Sequence, residues 1–213
     1  MAKKRFCYDY PRPMVTVDCV LLRVHERRLE VLLVRRGAAP HKGAWALPGG
    51  FIRMKEPLEA AVARELAEET GIRDISFLIQ LGAYGNPDRD PRGRVISVGF
   101  IGIIPGEGPE PQGGDDASET RWHPVETTPK ALAFDHASII GDALLRLAAG
   151  GRTSGVLFAF LKDPFTADGV RDVLHAVYGV ELNPREYLAP YLKEGIVRRA
   201  GKAGKYRFVG ERR

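Results

Sequence analysis

The stretch Leu47–Ile72 reads LPGGFIRMKEPLEAAVARELAEETGI and contains the pattern that decides the fold. From Pro57 to Thr70, apolar residues recur every four positions and predict an amphipathic helix. These residues are Leu58, Val62 and Leu66. Glycines flank the helix on both sides, as is typical of a helix held between two tight loops.

Three glutamates of this helix lie on or beside its apolar stripe: Glu65, Glu68 and Glu69. Like charges three or four residues apart destabilise a helix, and partial burial raises the pKa of carboxylates. A hard divalent cation with oxygen ligands would neutralise such a cluster. Arg64, four residues before Glu68, is expected to pair with one of the acids. The alternative is a salt-bridge lattice, which would place these charges on the outer face of the helix.

The spacing of Gly50, Glu56 and the run RELAEETGI from Arg64 to Ile72 resembles the Nudix box of diphosphate hydrolases. The resemblance implies an α/β/α Nudix sandwich with a mixed sheet over residues 10–150. It also implies a bound divalent metal, Mg²⁺ or Mn²⁺. By family role, the metal ligands are Glu65, Glu68, Glu69 and the Gly50 carbonyl. Arg64 and Glu56 orient these ligands, and Gly71 completes the box.

The chemistry that the resemblance implies is hydrolysis of a diphosphate, whose anionic oxygens otherwise repel a nucleophile. The catalytic residues expected from the box are Glu65, Glu68, Glu69 and Arg64. The general base stays open between Glu65, Glu69 and an acid of a distal loop. The acids of that loop are Asp115, Asp116 and Glu119.

Three segments outside the box are similar to the ADP-ribose pyrophosphatase-like branch: GNPDRDPRGRVISVGF, GDDASETRW and LAFDHASII. They imply a substrate in which a nucleoside diphosphate is linked to a sugar or a similar group, with ADP-ribose favoured. In the first segment, Arg92 and Arg94 are expected to contact this substrate through a phosphate or a terminal ribose. The alternative is that this charged loop is self-paired and solvated.

The rest of the first part of the chain predicts strands around the box helix. Aliphatic runs such as MVTVDCVLLRV and RLEVLLVRR favour a hairpin, and ISFLIQLGAYG and RVISVGFIGII favour two more strands. A helix is predicted in FDHASIIGDALLRLAAG from its apolar spacing. The expected fold class is therefore α/β, with a helix on each side of a mixed sheet.

The part after the small and polar segment Ala148–Gly155, which is predicted to be a linker, shows a separate pattern. A helix is predicted over Ala167–Tyr178 with Thr166 as its N-cap, and a second helix from Pro184 with Asn183 as its N-cap. The run IVRRAGKAGKYRFV then predicts two strands around a glycine turn. Helix, helix and hairpin is the order of a winged helix-turn-helix, expected over residues 156–213.

The combination of a Nudix domain with a winged helix resembles the Nudix-related transcriptional regulators, which sense ADP-ribose. Residues 183–213 carry nine basic and three acidic residues, a balance of +6 in a chain of net charge +5. DNA is therefore a candidate partner of this tail, and a solvated basic hairpin is the alternative. The expected recognition helix has Leu188-Ala189-Pro190 where these regulators tend to carry basic residues. Pro190 is also expected to kink that helix. The sequence thus favours a hydrolase, with a DNA-binding regulator as the alternative.

The remaining features concern the cell compartment and assembly. Hydrophobic residues make up 44% of the chain and charged residues 28%, as in ordinary globular proteins. Cys7 and Cys19 do not form a C-x-x-C pair, and no run of 18 apolar residues occurs. These features predict a cytoplasmic protein with no membrane partner. The family resemblance adds an expected homodimer. His41, His123 and His136 are expected to be loop or core residues, because none has metal-ligand spacing with another.

Overall fold

The computed structural model describes residues 7–112, 117–201 and 204–210. The first part is a mixed sheet with a helix on each face, as the sequence predicts. Its strands are β1 (Met14–His25), β2 (Arg28–Arg36), β3 (Trp45–Ala46), β4 (Gly49–Phe51), β5 (Phe77–Tyr84), β6 (Val95–Ile103) and β7 (Ala117–Pro124). Its helices are α1 (Leu58–Thr70) and α2 (His136–Gly150).

Strand β1 lies at the centre of this sheet and organises it. It runs parallel to β6, antiparallel to β2 in a hairpin, and antiparallel to the short β4. The β4 pairing joins Thr16 to Phe51, Val17 to Gly50 and Asp18 to Gly49. This register brings the glycine pair of the box next to two polar residues of β1.

The two helices cover opposite faces of the sheet. Helix α1 buries Val62 and Leu66 against one face, together with Cys19 and Leu21 of β1. Helix α2 buries Ile139, Ala143 and Leu147 against the other face, as its apolar spacing predicts. Successive residues of a strand point to opposite faces, so β1 contributes apolar side chains to both cores.

The C-terminal part contains β8 (Phe165–Thr166), α3 (Ala167–Tyr178), α4 (Pro184–Lys193), β9 (Val197–Ala200) and β10 (Lys205–Phe208). The predicted caps are present: the Thr166 side chain accepts from the Gly169 amide, and Asn183 accepts from the Arg185 amide. Strand β10 pairs with β8 and β9. This is the order of a winged helix-turn-helix. Helix α4 continues through Pro190, and the kink expected there stays a prediction.

The connection between the two parts is packed, whereas the sequence predicted a linker over Ala148–Gly155. Its first three residues belong to α2, and two tyrosines of the C-terminal part bind its backbone carbonyls. Tyr178 donates its hydroxyl hydrogen to the Ala148 carbonyl at 3.1 Å, and Tyr187 donates to the Gly151 carbonyl at 2.7 Å. Small residues here allow close packing. Their composition alone resembles that of a flexible linker.

One apolar cluster runs through both parts of the chain. It joins Val20 and Leu22 of β1 to Phe158, Leu174 and Leu188 of the C-terminal part. Among the described residues, none of the helices is both long and apolar enough to cross a bilayer.

Candidate active site

The glycine pair of β4 lies directly against the acidic face of α1. The Gly49 amide donates to Glu69 Oε2 at 3.0 Å. A Cβ placed on Gly50 would lie 2.7 Å from Glu65 Oε1, closer than real Cβ contacts come. Glycine is therefore required at position 50 for the Glu65 carboxylate to reach this place, which gives the Gly-Gly pair of the sequence a physical reason.

Arg64 holds three glutamates at once. Its Nε and Nη2 donate to Glu56 Oε1 and Oε2 at 2.7 and 2.9 Å. Its Nη1 donates to Glu65 Oε1 at 2.6 Å and to Glu68 Oε2 at 3.0 Å. The pairing with Glu68 that the sequence predicts is thus present. Charge-assisted bonds of this kind fix geometry as well as adding energy, so Arg64 orients the acids of the box.

The three acids of α1 differ in burial. Burial raises the pKa of Glu69 to about 8, with Glu65 and Asp18 adding to the effect. Burial also raises the pKa of Glu65, against the opposing effect of Arg64. The Glu68 side chain is 51% exposed and also accepts from Arg53 at 3.2 Å. The expectation that all three acids avoid the solvated face is therefore wrong for Glu68, since its position on the stripe edge lets the side chain turn outward.

This arrangement fits a hard divalent cation in part. Glu65 and Glu69 line one cleft together with Gly50. Glu65 raises the pKa of Glu69, so an added positive charge would stabilise the ionised pair, and oxygen donors suit Mg²⁺ or Mn²⁺. Within the described part of the chain, however, no three His, Cys, Asp or Glu side chains are arranged to hold a metal ion. The ligand roles of Glu65, Glu68, Glu69 and Gly50 stay predictions.

A buried polar group that the sequence analysis did not identify forms the neighbouring wall of the cleft. Arg89 donates to both carboxylate oxygens of Asp135, at 2.9 and 2.6 Å, and lies 3.6 Å from Asp18 Oδ2. The Ser97 hydroxyl also bonds to Asp18. Asp18 occurs in the apolar run MVTVDCVLLRV, and a lone acid in such a strand was the available signal.

His136, the first residue of α2, connects this polar group to the box loop. The Leu47 amide donates to His136 Nδ1 at 2.8 Å, and His136 Nε2 lies 3.6 Å from Asp18 Oδ1. Burial lowers the pKa of His136. A neutral imidazole that accepts at Nδ1 carries its proton on Nε2, which faces the Asp18 carboxylate. His136 is thus a buried link between α2 and the loop that carries Gly49 and Gly50.

The two arginines predicted to bind substrate lie in different places. Arg92 lines the cleft and donates to Asp90 Oδ2 through Nη2 at 2.7 Å. This pair lowers the pKa of Asp90. Arg94 is bound to the Gly85 carbonyl at 2.5 Å on an exposed part of the loop. The loop is therefore partly self-paired, and the structure brings Arg92 next to the box. Substrate contact by either arginine stays a prediction.

Glu119, the described residue among those considered as a distal general base, does not itself line this cleft, although its partner Arg35 does. Glu119, on β7, accepts from Arg121 at 2.7 Å and from Arg35 at 3.4 Å. Asp115 and Asp116 lie outside the described residues. Two cleft residues, Arg36 and Phe134, were missed by the sequence analysis. The only signal for Arg36 is that a charged pair ends the apolar strand LEVLLVRR.

A basic groove lies on the C-terminal part, between α4 and the β9–β10 hairpin. Its positively charged lining residues are Arg185, Arg199 and Lys205. Leu188 and Leu192 of α4 form its apolar side. Arginine and lysine side chains commonly contact nucleic acid phosphates, so this groove is the candidate DNA-binding surface. The charges come from the start of α4 and from the hairpin rather than from the middle of the helix.

Comparison with known proteins agrees with both parts of this architecture. A family model described as NUDIX domain matches residues 12–142. The ADPR responsive transcriptional repressor NtrR of Acinetobacter baylyi is 31% identical over 212 residues, covering 94% of this chain and 84% of the relative. The ADP-ribose pyrophosphatase of Methanocaldococcus jannaschii is 47% identical over 135 residues, covering 62% of this chain and 74% of the relative.

A solved structure matches most of the chain, including the C-terminal part. It is Shewanella oneidensis NrtR complexed with a 27mer DNA, which is 28% identical, with a TM-score of 0.75 over 91% of this chain and 92% of that one. The match of the family model to residues 12–142, together with these relatives, shows that the chain belongs to the Nudix family.

Proposed function

We propose that this protein hydrolyses the diphosphate linkage of a nucleoside diphosphate derivative, with ADP-ribose as the favoured substrate and AMP and ribose 5-phosphate as products. The observation that carries the proposal is that Glu65 and Glu69 line the same cleft as Arg36 and Arg92. Acids on one wall and guanidinium groups on another suit a ligand that is bound through phosphate. The pyrophosphatase relative supports ADP-ribose as that ligand.

The residues of the cleft have separable roles in this proposal. Glu65, Glu68 and Glu69, with the Gly50 carbonyl, would hold Mg²⁺ or Mn²⁺. When bound, the metal would supply charge neutralisation of the diphosphate and activation of water. Arg64 keeps the acids oriented through its bonds to Glu56, Glu65 and Glu68.

Hydrolysis breaks one P–O bond of the diphosphate bridge. Water adds its oxygen to one phosphorus, and the other phosphate leaves with the bridging oxygen. The proton of the water goes to a general base. Glu65 and Glu69 are the base candidates in the described part of the cleft, and we favour neither, because both also stand as ligands.

A transcriptional regulator is the second candidate function, and it does not exclude turnover. It is supported by the repressor relative, whose alignment covers 94% of this chain. It is also supported by the basic groove of Arg185, Arg199 and Lys205. In this proposal residues 10–150 form the Nudix domain and residues 156–213 bind DNA without strong direct readout. We further propose a homodimer, because a two-fold DNA-binding protein would place two such grooves on one duplex.

The test is release of AMP from ADP-ribose with and without Mg²⁺, beside NADH, diadenosine polyphosphates, nucleotide sugars and nucleoside triphosphates. Glu68→Gln and Glu69→Gln should abolish metal-dependent turnover. Glu59→Gln, on the exposed first turn of the same helix, is the matched control and should keep it. If ADP-ribose binds but nothing is cleaved, the cleft is a sensor and the regulator proposal replaces the hydrolase.

A further inference from the structure

The Phe134 ring lies at the centre of a group of cations in the cleft. The guanidinium carbon of Arg36 lies 4.9 Å from the ring centroid, that of Arg92 lies 5.7 Å away, and that of Arg89 lies 5.9 Å away. A guanidinium group within about 6 Å of an aromatic ring is attracted by its quadrupole. The ring therefore holds these side chains together without neutralising them.

The backbone conformation of Phe134 is also unusual. Its φ is 54°, in the left-handed region that a bulky side chain adopts only at a cost. The His41 ring packs edge-on against Phe134, with their centroids 4.7 Å apart. The surrounding structure thus keeps the Phe134 ring in the cleft against a local backbone preference. Strain of this kind is concentrated at functional sites.

The three arginines differ in their ion pairs. Arg89 is bound by Asp135 at 2.6 Å, and Arg92 by Asp90 at 2.7 Å. Arg36 donates from Nε to the Pro40 carbonyl at 2.8 Å. Among the described residues, no carboxylate lies within the 4.0 Å ion-pair distance of Arg36. Within the described part of the chain, its two terminal nitrogens are therefore without a carboxylate partner and open to an anion.

The surroundings of Arg36 disfavour its positive charge when no anion is bound. Burial lowers the pKa of Arg36, and the neighbouring Arg92 lowers it further, against the opposing charges of Glu69, Asp90 and Asp18. A guanidinium group stays charged even so, because its ordinary pKa is far above neutrality. The charge is held in a position that is unfavourable until an anion binds.

Arg36 also stands where the two spaces of the cleft meet. It lines the larger space, of about 370 Å³, together with Glu65 and Glu69. It also lines the smaller space, of about 90 Å³, together with Asp18 and Phe134. A ligand that extends from the larger space into the smaller one would contact the box acids in the larger space and Arg36 where both spaces share it.

We propose that Arg36 binds a phosphate of the diphosphate substrate through its terminal nitrogens, and that Phe134 positions Arg36 for this contact. The inference rests on the proposed function for the identity of the substrate. It adds a phosphate-binding residue that lies outside the box and is separate in sequence from Arg92. A phosphate fits better than a carboxylate ligand, because its several oxygens can face the guanidinium and the box side at once.

The test is calorimetric binding of ADP-ribose and of inorganic pyrophosphate in excess chelator, so that the contribution of Arg36 is measured without metal. Arg36→Gln should lower the affinity for both ligands by about ten- to hundredfold, which corresponds to the loss of a hydrogen bond to a charged group. Arg36→Lys keeps the charge and loses the planar fork, so its loss should be smaller. Phe134→Leu keeps apolar volume and should lower the affinity for both ligands about two- to fivefold.

The control is Arg121→Gln, which removes one positive charge from an exposed residue of β7 and should leave both affinities unchanged. Melting temperatures of all variants show whether a loss reflects unfolding, and Arg36→Lys serves if Arg36→Gln does not fold. In the presence of Mg²⁺, Arg36→Gln should raise KM more than it lowers kcat, as expected for a contact made in both ground and transition state.

The outcomes separate the two proposals. If the protein binds both probes through Arg36 but does not cleave ADP-ribose, the proposed function fails and the inference stands. If ADP-ribose is cleaved and Arg36→Gln binds both probes like the unaltered protein, the inference fails alone. If the unaltered protein binds neither probe, the inference fails whatever the turnover.

Discussion

Arg64 and Glu56 face each other through two parallel hydrogen bonds, Nε to Oε1 at 2.7 Å and Nη2 to Oε2 at 2.9 Å. This pair joins α1 to the loop that precedes it, and the same guanidinium reaches Glu65 and Glu68. The acids on α1 are therefore coupled to the loop chiefly through Arg64, with one further bond from the exposed Arg53 to Glu68. Partners that orient ligands in this way contribute to a site without contacting the reacting atoms.

Arg64→Lys tests this coupling. Lysine keeps the charge but cannot form the parallel pair, so the acids should lose their common support. We expect kcat for ADP-ribose to fall about 10- to 100-fold and the melting temperature to fall. Arg53→Lys is the control, because Arg53 is exposed and makes one bond to Glu68. Equal effects of the two substitutions would contradict the special position of Arg64.

The two glycines of β4 should respond differently to alanine. At Gly50 the added Cβ meets Glu65 Oε1, the end of a flexible side chain, at 2.7 Å. Gly50→Ala should therefore displace this carboxylate and lower turnover at least tenfold, with a small loss of stability. At Gly49 the Cβ would meet the Val17 carbonyl at 2.1 Å. Since this backbone cannot move aside, Gly49→Ala should cost about 3 kcal/mol of unfolding free energy.

Gly82→Ala is the control for this pair, because nothing lies within 4 Å of its added Cβ. Urea denaturation and steady-state kinetics on the three variants give the comparison. A Gly50→Ala protein with unchanged turnover would mean that Glu65 does not need its present position.

His136 should be replaceable by asparagine better than by glutamine or leucine. Asparagine can place its carbonyl oxygen near the position of Nδ1 and accept from the Leu47 amide. Leucine leaves that amide and Asp18 without this partner, which should cost about 2 to 4 kcal/mol. Unfolding free energies by urea denaturation check this order. If glutamine restores stability better than asparagine, the Nε2 contact with Asp18 is the more important one.

The Asp90–Arg92 pair should give a defined pH dependence of stability. The Arg92 guanidinium holds the pKa of Asp90 below its ordinary value. A lowered carboxyl pKa contributes stability above the unfolded value of about 4, and this contribution is lost as the pH falls through the folded value. The stability difference between the unaltered protein and Asp90→Asn should be constant from pH 5 to pH 7 and shrink below about pH 4. A difference that grew towards low pH would be opposite in sign to this argument.

The basic groove gives a prediction that turnover cannot test. Arg199→Gln combined with Lys205→Gln should weaken binding to duplex DNA and reduce the slope of affinity against salt concentration by about 2. Hydrolysis of ADP-ribose should be unchanged, because both residues lie on the C-terminal hairpin. Arg73→Gln with Arg121→Gln removes the same charge elsewhere and is the control. If both double variants bind DNA equally weakly, the net charge of the protein, and not the groove, determines the affinity.

Local patterns were enough to predict most elements. The four-residue spacing of Leu58, Val62 and Leu66 predicted α1, and the caps Thr166 and Asn183 predicted the starts of α3 and α4. These predictions were confirmed because helices and caps depend on residues within a few positions of each other. The prediction of a linker at Ala148–Gly155 was wrong for the opposite reason. Whether small residues form a flexible linker or a packed contact depends on distant partners, here Tyr178 and Tyr187.

The sequence by itself determined the acidic face of α1, the glycine pair beside it and the resemblance that these residues carry. Each of these features lies within a single continuous stretch of the chain. Only the tertiary structure decided the second wall of the cleft, which joins Asp18, Arg36, Arg92, Phe134 and His136. These residues come from β1, β2, two separate loops and the start of α2, so no periodicity or spacing relates them. Their proximity follows from β1 pairing with β2, β4 and β6, and strand pairing between distant segments is a property of the whole sheet.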